Sequence, residues 1–348
     1  MIDFNVAALR RIGLTHPIAA RLAEHGDGDG AGHGLPARVA SVHRASLVLH
    51  DGERERPARP HPGLAALPAV GDWVLYEDDG HGGTWVRTLV EPVNVLARRS
   101  ADGARQRLAA NVDTALLVMA LDGDFNLRRL ERYLMVARAS DVAPVVVLTK
   151  GDLVPDADAK AAQVAMRLPA AIPVVRVQAT DPGAGAALAP WLGAGQTLVL
   201  LGMSGVGKST LTNTLTGALQ DTGGVRGGDD RGRHTTTARS LHLCPDGACV
   251  IDTPGLRSWQ PDADEDDVGA AFEDIETLAA RCRFHDCTHT EEPGCAVRAA
   301  VDPDRLRNFH KLLREVRHAE QTPLDRIAER SKWKVLRREF KVRTKAKG

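Results

Sequence analysis

Residues 198–210 read Leu198-Val199-Leu200-Leu201-Gly202-Met203-Ser204-Gly205-Val206-Gly207-Lys208-Ser209-Thr210. Four apolar residues form a buried strand, a glycine-rich turn follows, and Leu211, Leu215 and Leu219 then fall at helical spacing. Glycines at both ends of a four-residue gap, followed by Lys and Ser, make a phosphate-binding loop. Its backbone N–H groups wrap the phosphates, Lys208 reaches the β- and γ-phosphates, Ser209 binds Mg²⁺, and the helix N-terminus adds positive charge. All nine residues from Gly202 to Thr210 (with Met203, Ser204, Gly205 and Val206 in the turn) are therefore candidate nucleotide contacts.

The chain has 348 residues, enough for two or three domains. It carries 45 Lys and Arg against 45 Asp and Glu, so its overall charge demands neither nucleic acid nor membrane. Locally the charge is uneven. Asp262 to Asp267 is acidic, whereas nine Lys and Arg face the single Glu339 between Arg330 and Lys347. That tail suits a phosphate backbone, with a solvated tail as the alternative. No run is long and apolar enough to span a bilayer, and no charged-then-apolar leader opens the sequence. With the cysteines reading as metal ligands rather than disulfides, the expected location is the cytoplasm.

The segments around the loop supply what such a site needs. Strand and helix patterns alternate before it: strands at Ala115–Ala120, Val145–Leu148 and Val174–Val177, helices at Leu127–Ala137 and Ala159–Leu168. Later strands lie near Leu241 and Val250. This predicts a doubly wound α/β domain with ligand groups at the carboxyl ends of its strands. At one such end stands Thr149-Lys150-Gly151-Asp152, close to an Asn-Lys-x-Asp base-reading signature. The Asp152 carboxylate accepts from guanine N1–H and the 2-amino group, a donor pair adenine lacks, while the Lys150 stem lies along the ring. Thr149 replaces the usual Asn, and some loop-bracing hydrogen bonds are expected to be lost. Gln178-Ala179 is a weaker match to the loop that backs the base.

Beyond the phosphate loop, Asp221 to His234 lacks apolar periodicity and ends in His234-Thr235-Thr236-Thr237. A threonine here closes on Mg²⁺ and the γ-phosphate; Thr236 is the first choice, with Thr235 and Thr237 behind it. Asp252-Thr253-Pro254-Gly255 then gives Asp252 to Mg²⁺ and the Gly255 N–H to the γ-phosphate. A base-reading Asp placed before the phosphate loop inverts the usual GTPase order, so the sheet is circularly permuted. Leu256 stands where other GTPases hold a water-orienting Gln. His234 is the residue assigned to take over that task, a solvated loop histidine being the alternative.

At the flanks, residues 1–35 read as a helical arm (Val6, Leu9, Ile12, Ile18, Leu22) and a Gly-rich linker. Residues 36–100 hold short strands at 38–43, 46–50, 72–76 and 84–90, a small barrel of OB type. Trp73, Tyr76 and Trp85 either fill its core, the favoured reading, or stack on bases, and Arg54, Arg56 and Arg59 are either solvated or meet phosphate. The permuted domain is assigned 101–262. The remainder, 263–348, contains Cys282, Cys287, His289 and Cys295, whose types and spacing close a tetrahedral structural Zn²⁺ site. Cys244 and Cys249 flank the turn Pro245–Gly247 as expected paired strand residues, and Leu306 to Val316 is helical.

Taken together, Asn111-Val112-Asp113, the Asp124–Glu131 segment, Thr149–Asp152, Gly202–Thr210, Gly232–Thr237, Asp252–Leu256 and the cysteine cluster make residues 36–345 resemble the RsgA (YjeQ) family of circularly permuted GTPases. That resemblance implies an OB domain, a permuted GTPase domain and a zinc domain gripping the small ribosomal subunit and its rRNA. It also implies slow GTP hydrolysis that the subunit stimulates late in maturation, with Mg²⁺ accompanying the nucleotide. The chain is taken as a monomer. The alternatives are a GTPase switch outside the ribosome and an RNA-binding assembly module with a vestigial nucleotide site.

Overall fold

The computed structural model describes residues 5–25, 34–43, 46–99, 105–217, 239–253 and 260–320. Backbone contacts divide the chain into two compact units, residues 1–262 and 263–348. The first opens with helices α1 (Val6–Arg11) and α2 (His16–Glu24). The Asn5 side chain accepts the Ala8 N–H at 3.1 Å and starts α1. Pro17 sits in the first turn of α2, where a missing N–H leaves no bond unmade. Leu9, Ile12, Leu14, Ile18 and Leu22 pack with Trp73, Leu75 and Val90. Each such burial is worth about 1.5–3 kcal/mol, which docks the arm.

Five strands follow: β1 (Leu35–His43), β2 (Ser46–His50), β3 (Glu55–Pro60), β4 (Trp73–Asp78) and β5 (Thr84–Leu89). They pair β1–β2–β3–β5–β4, and β4 returns to β1 to close a barrel. Ala37, Val39, Leu47, Leu49, Ala58, Val74, Tyr76 and Val86 fill it. The sequence pattern missed β3, because arginines and the prolines Pro57 and Pro60 leave it almost no apolar alternation. Two of the three aromatic candidates are core residues: Tyr76 inside the barrel, and Trp73 fully buried beneath the N-terminal arm. Trp85 is half-buried and donates its Nε1–H to Asp79 at 3.1 Å. Arg56 is ion-paired with Asp51 at 2.8 Å and lies over Tyr76, while Arg54 and Arg59 are exposed.

A hairpin of β6 (Val95–Arg99) and β7 (Arg105–Ala110) comes next, also unmarked in sequence because it is rich in arginine. The α/β region then runs β8 (Thr114–Ala120), α3 (Leu127–Ala139), β9 (Ala143–Thr149), α4 (Ala157–Arg167), β10 (Val174–Arg176), α5 (Ala184–Leu188), β11 (Thr197–Leu201), α6 (Lys208–Thr216), β12 (Ser240–Leu243) and β13 (Cys249–Asp252). A short β14 (Gln260–Pro261) pairs with β6. The order is β10-β9-β8-β11-β13-β12, parallel except for β12. Every residue of β8, β11 and β13 is buried, and apart from Thr114, Thr197 and Asp252 at strand ends they are apolar, as expected of strands covered on both faces. Cys244 and Cys249 are both buried and flank the β12–β13 turn, but they are not strand partners as expected: Cys249 pairs with Leu243, and Cys244 lies past the end of β12, its N–H donating to the Ala248 carbonyl in the turn.

The sheet does not stop at β12. Ser240 pairs with Ser41 of β1, so the barrel and the α/β sheet share one hydrogen-bonded surface. Arg38 of β1 is the fully buried rivet beside this junction. It donates to the Ile12 carbonyl at 2.7 Å, the Thr197 hydroxyl at 2.9 Å, the Asn111 carbonyl at 3.1 Å and the Gly71 carbonyl at 3.2 Å. Gly13, at φ +87°, leaves room for it, since a Cβ there would lie 2.1 Å from Arg38 Nη1.

The second unit contains α7 (Glu265–Ala271), α8 (Glu273–Ala279), α9 (Ala296–Ala300) and α10 (Pro303–Glu320). The acidic run acquires a local purpose here. Asp264 and Asp267 form a reciprocal capping box at the positive end of α7. Phe272 and Phe309 meet edge to face at 5.4 Å in the core, and Arg305 covers Phe272 while pairing with Asp274. The basic stretch from Arg330 to Lys347 lies outside the described residues.

Candidate active site and metal centre

The carboxyl ends of β8, β9, β11 and β13 are adjacent in the sheet, and the sequence-selected groups gather there. At the end of β11 the phosphate loop turns through Gly205 at φ +86° and Gly207 at φ +100°, values that favour glycine. Gly202 is required by contact: a Cβ would stand 2.6 Å from the Val118 carbonyl oxygen. Val206 points into the core, Met203 and Ser204 are half-buried, and Ser209 and Thr210 open α6.

Lys208 is 6% exposed and donates to the Met203 carbonyl at 2.8 Å. Its ammonium bridges its own loop. Burial pulls its pKa down to about 8, against the pull of the Asp252 charge. Ser209 donates to Asp252 Oδ2 at 3.0 Å. The other oxygen, Asp252 Oδ1, is buried with no hydrogen-bond partner, and burial raises the pKa of the carboxyl. An unsatisfied carboxylate oxygen beside a serine hydroxyl fits a hydrated Mg²⁺, which would give that oxygen its missing partner.

Across the sheet, Lys150 stands at φ +57° at the end of β9, and Gly151 and Asp152 open a short 3₁₀ turn. Asp152 is exposed, free to meet a base. Thr149 keeps one bracing bond: its hydroxyl donates to the Val206 carbonyl at 2.7 Å, tying the end of β9 to the glycine-rich loop without an Asn. Gln178 is exposed and Ala179 half-buried; the Ala179 carbonyl accepts the Thr214 hydroxyl of α6 at 2.6 Å, and its Cβ faces Gly207. Sequence reasoning missed Asp122, just past β8, which pairs with Lys150 Nζ at 2.7 Å. Burial opposes its ionisation, yet the Lys150 hydrogen bond holds it below the usual carboxylate range. An acidic residue after a strand neighbouring the base-reading strand was the available signal. Thr235, Thr236, Thr237, His234, Gly255 and Leu256 lie outside the described residues.

In the second unit, ligand atoms of Cys282, Cys287, His289 and Cys295 all lie within 4.8 Å of one another. Cys282 Sγ is 3.9 Å from Cys295 Sγ, and His289 Nδ1 is 3.7 and 3.5 Å from those two sulfurs. A tetrahedral Zn²⁺ with ordinary bond lengths demands edges of about 3.8 Å between sulfurs and about 3.6 Å from sulfur to nitrogen. The donor set fits such an ion. His310 is not part of it; its Nε2 hydrogen-bonds the Thr288 carbonyl at 3.0 Å, and His285 is exposed.

A sheet with the Gly202–Thr210 loop after β11, Asp252 ending β13, and Thr149-Lys150-Gly151-Asp152 earlier in the chain at the end of β9 defines a circularly permuted P-loop GTPase. The comparisons narrow the class. The RsgA GTPase profile matches residues 90–262. The small ribosomal subunit biogenesis GTPase RsgA of Xanthomonas oryzae pv. oryzae (strain MAFF 311018) is 46% identical over 320 residues, covering 86% of each chain. That of Opitutus terrae is 47% identical over 341 residues, covering 90% of this chain and 93% of its own. Among solved structures, YjeQ from Thermotoga maritima superposes with a TM-score of 0.59 at 24% identity, covering 81% of this chain and 98% of its own. YloQ, a circularly permuted GTPase, gives 0.57 at 23% identity, covering 85% and 99%. The chain belongs to the RsgA family of GTPases.

Proposed function

We propose that this protein is a GTP hydrolase that binds the small ribosomal subunit and couples hydrolysis to a late step of its maturation. The observation carrying the reading is the shared edge where Lys208, Ser209, Asp252, Thr149 and Asp152 meet, in a chain closely related over most of its length to small ribosomal subunit biogenesis GTPases. Hydrolysis is in-line attack of water on the γ-phosphate, and catalysis is positional and electrostatic. The phosphate-loop amides and Lys208 stabilise developing charge; Ser209, Thr236 and Asp252 hold Mg²⁺; Gly255 meets the γ-phosphate. Thr149, Lys150, Gly151 and Asp152, backed by Gln178 and Ala179, select guanine. Cys282, Cys287, His289 and Cys295 hold one structural Zn²⁺, leaving no open coordination position. The protein works as a monomer in the cytoplasm, and its partners are GTP or GDP and the small ribosomal subunit with its rRNA. Among the described residues, no helix is long and apolar enough to cross a membrane.

The organisation this implies is an arm over 1–35, an OB-type domain over 36–100, a permuted GTPase domain over 101–262 and a zinc domain over 263–348. Leu256 cannot orient water, so the isolated protein turns over slowly, and His234 supplies that function once a partner orders its loop. The test is GTP hydrolysis by the purified protein with and without purified small subunits, with Lys208→Ala as the blank. Stimulation by small subunits is expected. Basal turnover that subunits leave unchanged would transfer the protein to a different activator. His234→Ala is expected to keep GTP affinity and lose the stimulated rate, and undiminished stimulation would remove His234 from the mechanism.

A further inference from the structure

Among the described residues of the second unit, Phe284 is the large hydrophobic side chain that stays exposed, at 40%. Phe272 and Phe309 of the same unit are buried against each other, whereas Phe284 is not. Phe284 lies between Cys282 and Cys287, two residues of the metal cluster. The segment is held by its own backbone. Arg283 N–H donates to the Gly294 carbonyl at 3.2 Å, and Cys287 N–H donates to the Phe284 carbonyl at 3.3 Å. Gly294 sits at φ +74° under the Arg283 side chain, where a Cβ would lie 3.0 Å from Arg283 Cβ. The ring is thus presented by a braced turn, and the ordering cost of holding it out is met before any partner arrives.

The surroundings name the partner. The Arg283 guanidinium covers the ring, its carbon 5.4 Å from the centroid. Arg281, Arg283 and His285 are all exposed beside it, with Asp286 the only acidic residue from Arg281 to Cys287. An exposed ring among cations, with one face toward a guanidinium, suits a flat, electron-rich, phosphate-bearing ligand better than an apolar protein groove. Unpaired RNA bases stack on aromatic rings and guanidinium planes in this manner. We infer that Phe284, flanked by Arg283, is a stacking platform for an unpaired base of RNA. The inference deepens the ribosomal reading and rests on it, because that reading supplies the RNA.

The test uses the full-length, metal-loaded protein and a short fluorescein-labelled single-stranded RNA of mixed sequence, read by anisotropy. F284A and F284L are expected to bind about fivefold or more weakly, since both remove the ring and F284L keeps apolar bulk. F284W keeps a stacking surface and is expected to restore binding. Bound metal and GTP hydrolysis without subunits should match wild type in all three. F284A binding the RNA as tightly as wild type would overturn the inference, as would a wild-type protein that does not bind the RNA. Loss of co-sedimentation with small subunits while RNA affinity is intact would assign Phe284 to a protein contact and overturn it equally. The ribosomal reading fails separately, by absence of subunit-stimulated hydrolysis in the wild type.

Discussion

Thr149 shows how one hydroxyl links two halves of a binding site. It reaches from the end of β9 to the Val206 carbonyl, so on the proposed assignment the loop for phosphate is held by the loop for the base. Removing it in Thr149→Ala leaves a buried carbonyl unpaired, a loss of about 1–3 kcal/mol. GTP and GDP affinity measured by titration should fall about 5- to 100-fold, with Mg²⁺ dependence unchanged. Lys208 makes a pH prediction. Its ammonium must be charged to bind phosphate, and burial has lowered its pKa in the nucleotide-free protein to about 8. Bound phosphates favour the charged form, so the pKa in the complex is higher. Affinity is therefore full below pH 8 and declines as pH rises through that value, by about tenfold at pH 9. The Lys208→Ala variant should bind weakly with a flat profile over the same range.

At the scale of elements, the Cys287–Cys295 loop owes its shape to Glu292. Its carboxylate accepts the Thr288 N–H and the Thr290 N–H, each at 2.9 Å, and the Thr288 hydroxyl as well. Those bonds fix the backbone on either side of His289, which stands at φ +60° with Nδ1 turned toward the sulfurs. Glu292→Ala should lower Zn²⁺ affinity about 10- to 100-fold in a chelator competition, the usual effect of losing an outer support. The elements also show what a sequence can reveal. Strands β8, β9, β11 and β13 were legible because burial on both faces demands uninterrupted apolar residues. Strand β3 and the β6–β7 hairpin were not, because their arginines and prolines answer to ion pairs and edges rather than to a core. Arg99 and Arg105 converge on Asp262, at 3.1 and 2.5 Å, a partnership between residues more than 150 positions apart. Motif residues that touch ligand announce themselves by type and spacing. Asp122, Arg38 and Glu292 act by reaching other residues, and their partners are fixed only once the chain has folded.

Across the whole molecule, the permutation determines what is attached to what. The chain leaves β13 at Asp252 and reaches the second unit at Ala263 after only ten intervening residues, 253–262. Those ten residues set the reach of the chain between β13 and the second unit, and a Gly/Ser insertion lengthens it. Inserting a Gly/Ser segment between Asp262 and Ala263 should leave nucleotide binding and basal hydrolysis intact and reduce the stimulation by small subunits. Stimulation equal to wild type would show that the connection carries no signal. In the opposite direction, the barrel is joined to the α/β sheet by the Ser41–Ser240 pairing and by the buried Arg38, and it shares the first compact unit with that sheet.

The same rearranged order governs how the protein is made. Strands β8, β9 and β10 emerge in succession and can pair at once, but the neighbour β8 needs on its other side is β11, whose first residue is Thr197. At translation speeds of about 5–20 residues per second, β8 waits roughly 4–15 seconds with a row of unpaired backbone groups and mostly apolar side chains. When β11 arrives it must slot against β8 before β13 exists to hold its far side. Nascent chains of this protein therefore pass through an interval of exposed, sticky half-sheet, during which a chaperone at the exit tunnel would find its best purchase along β8.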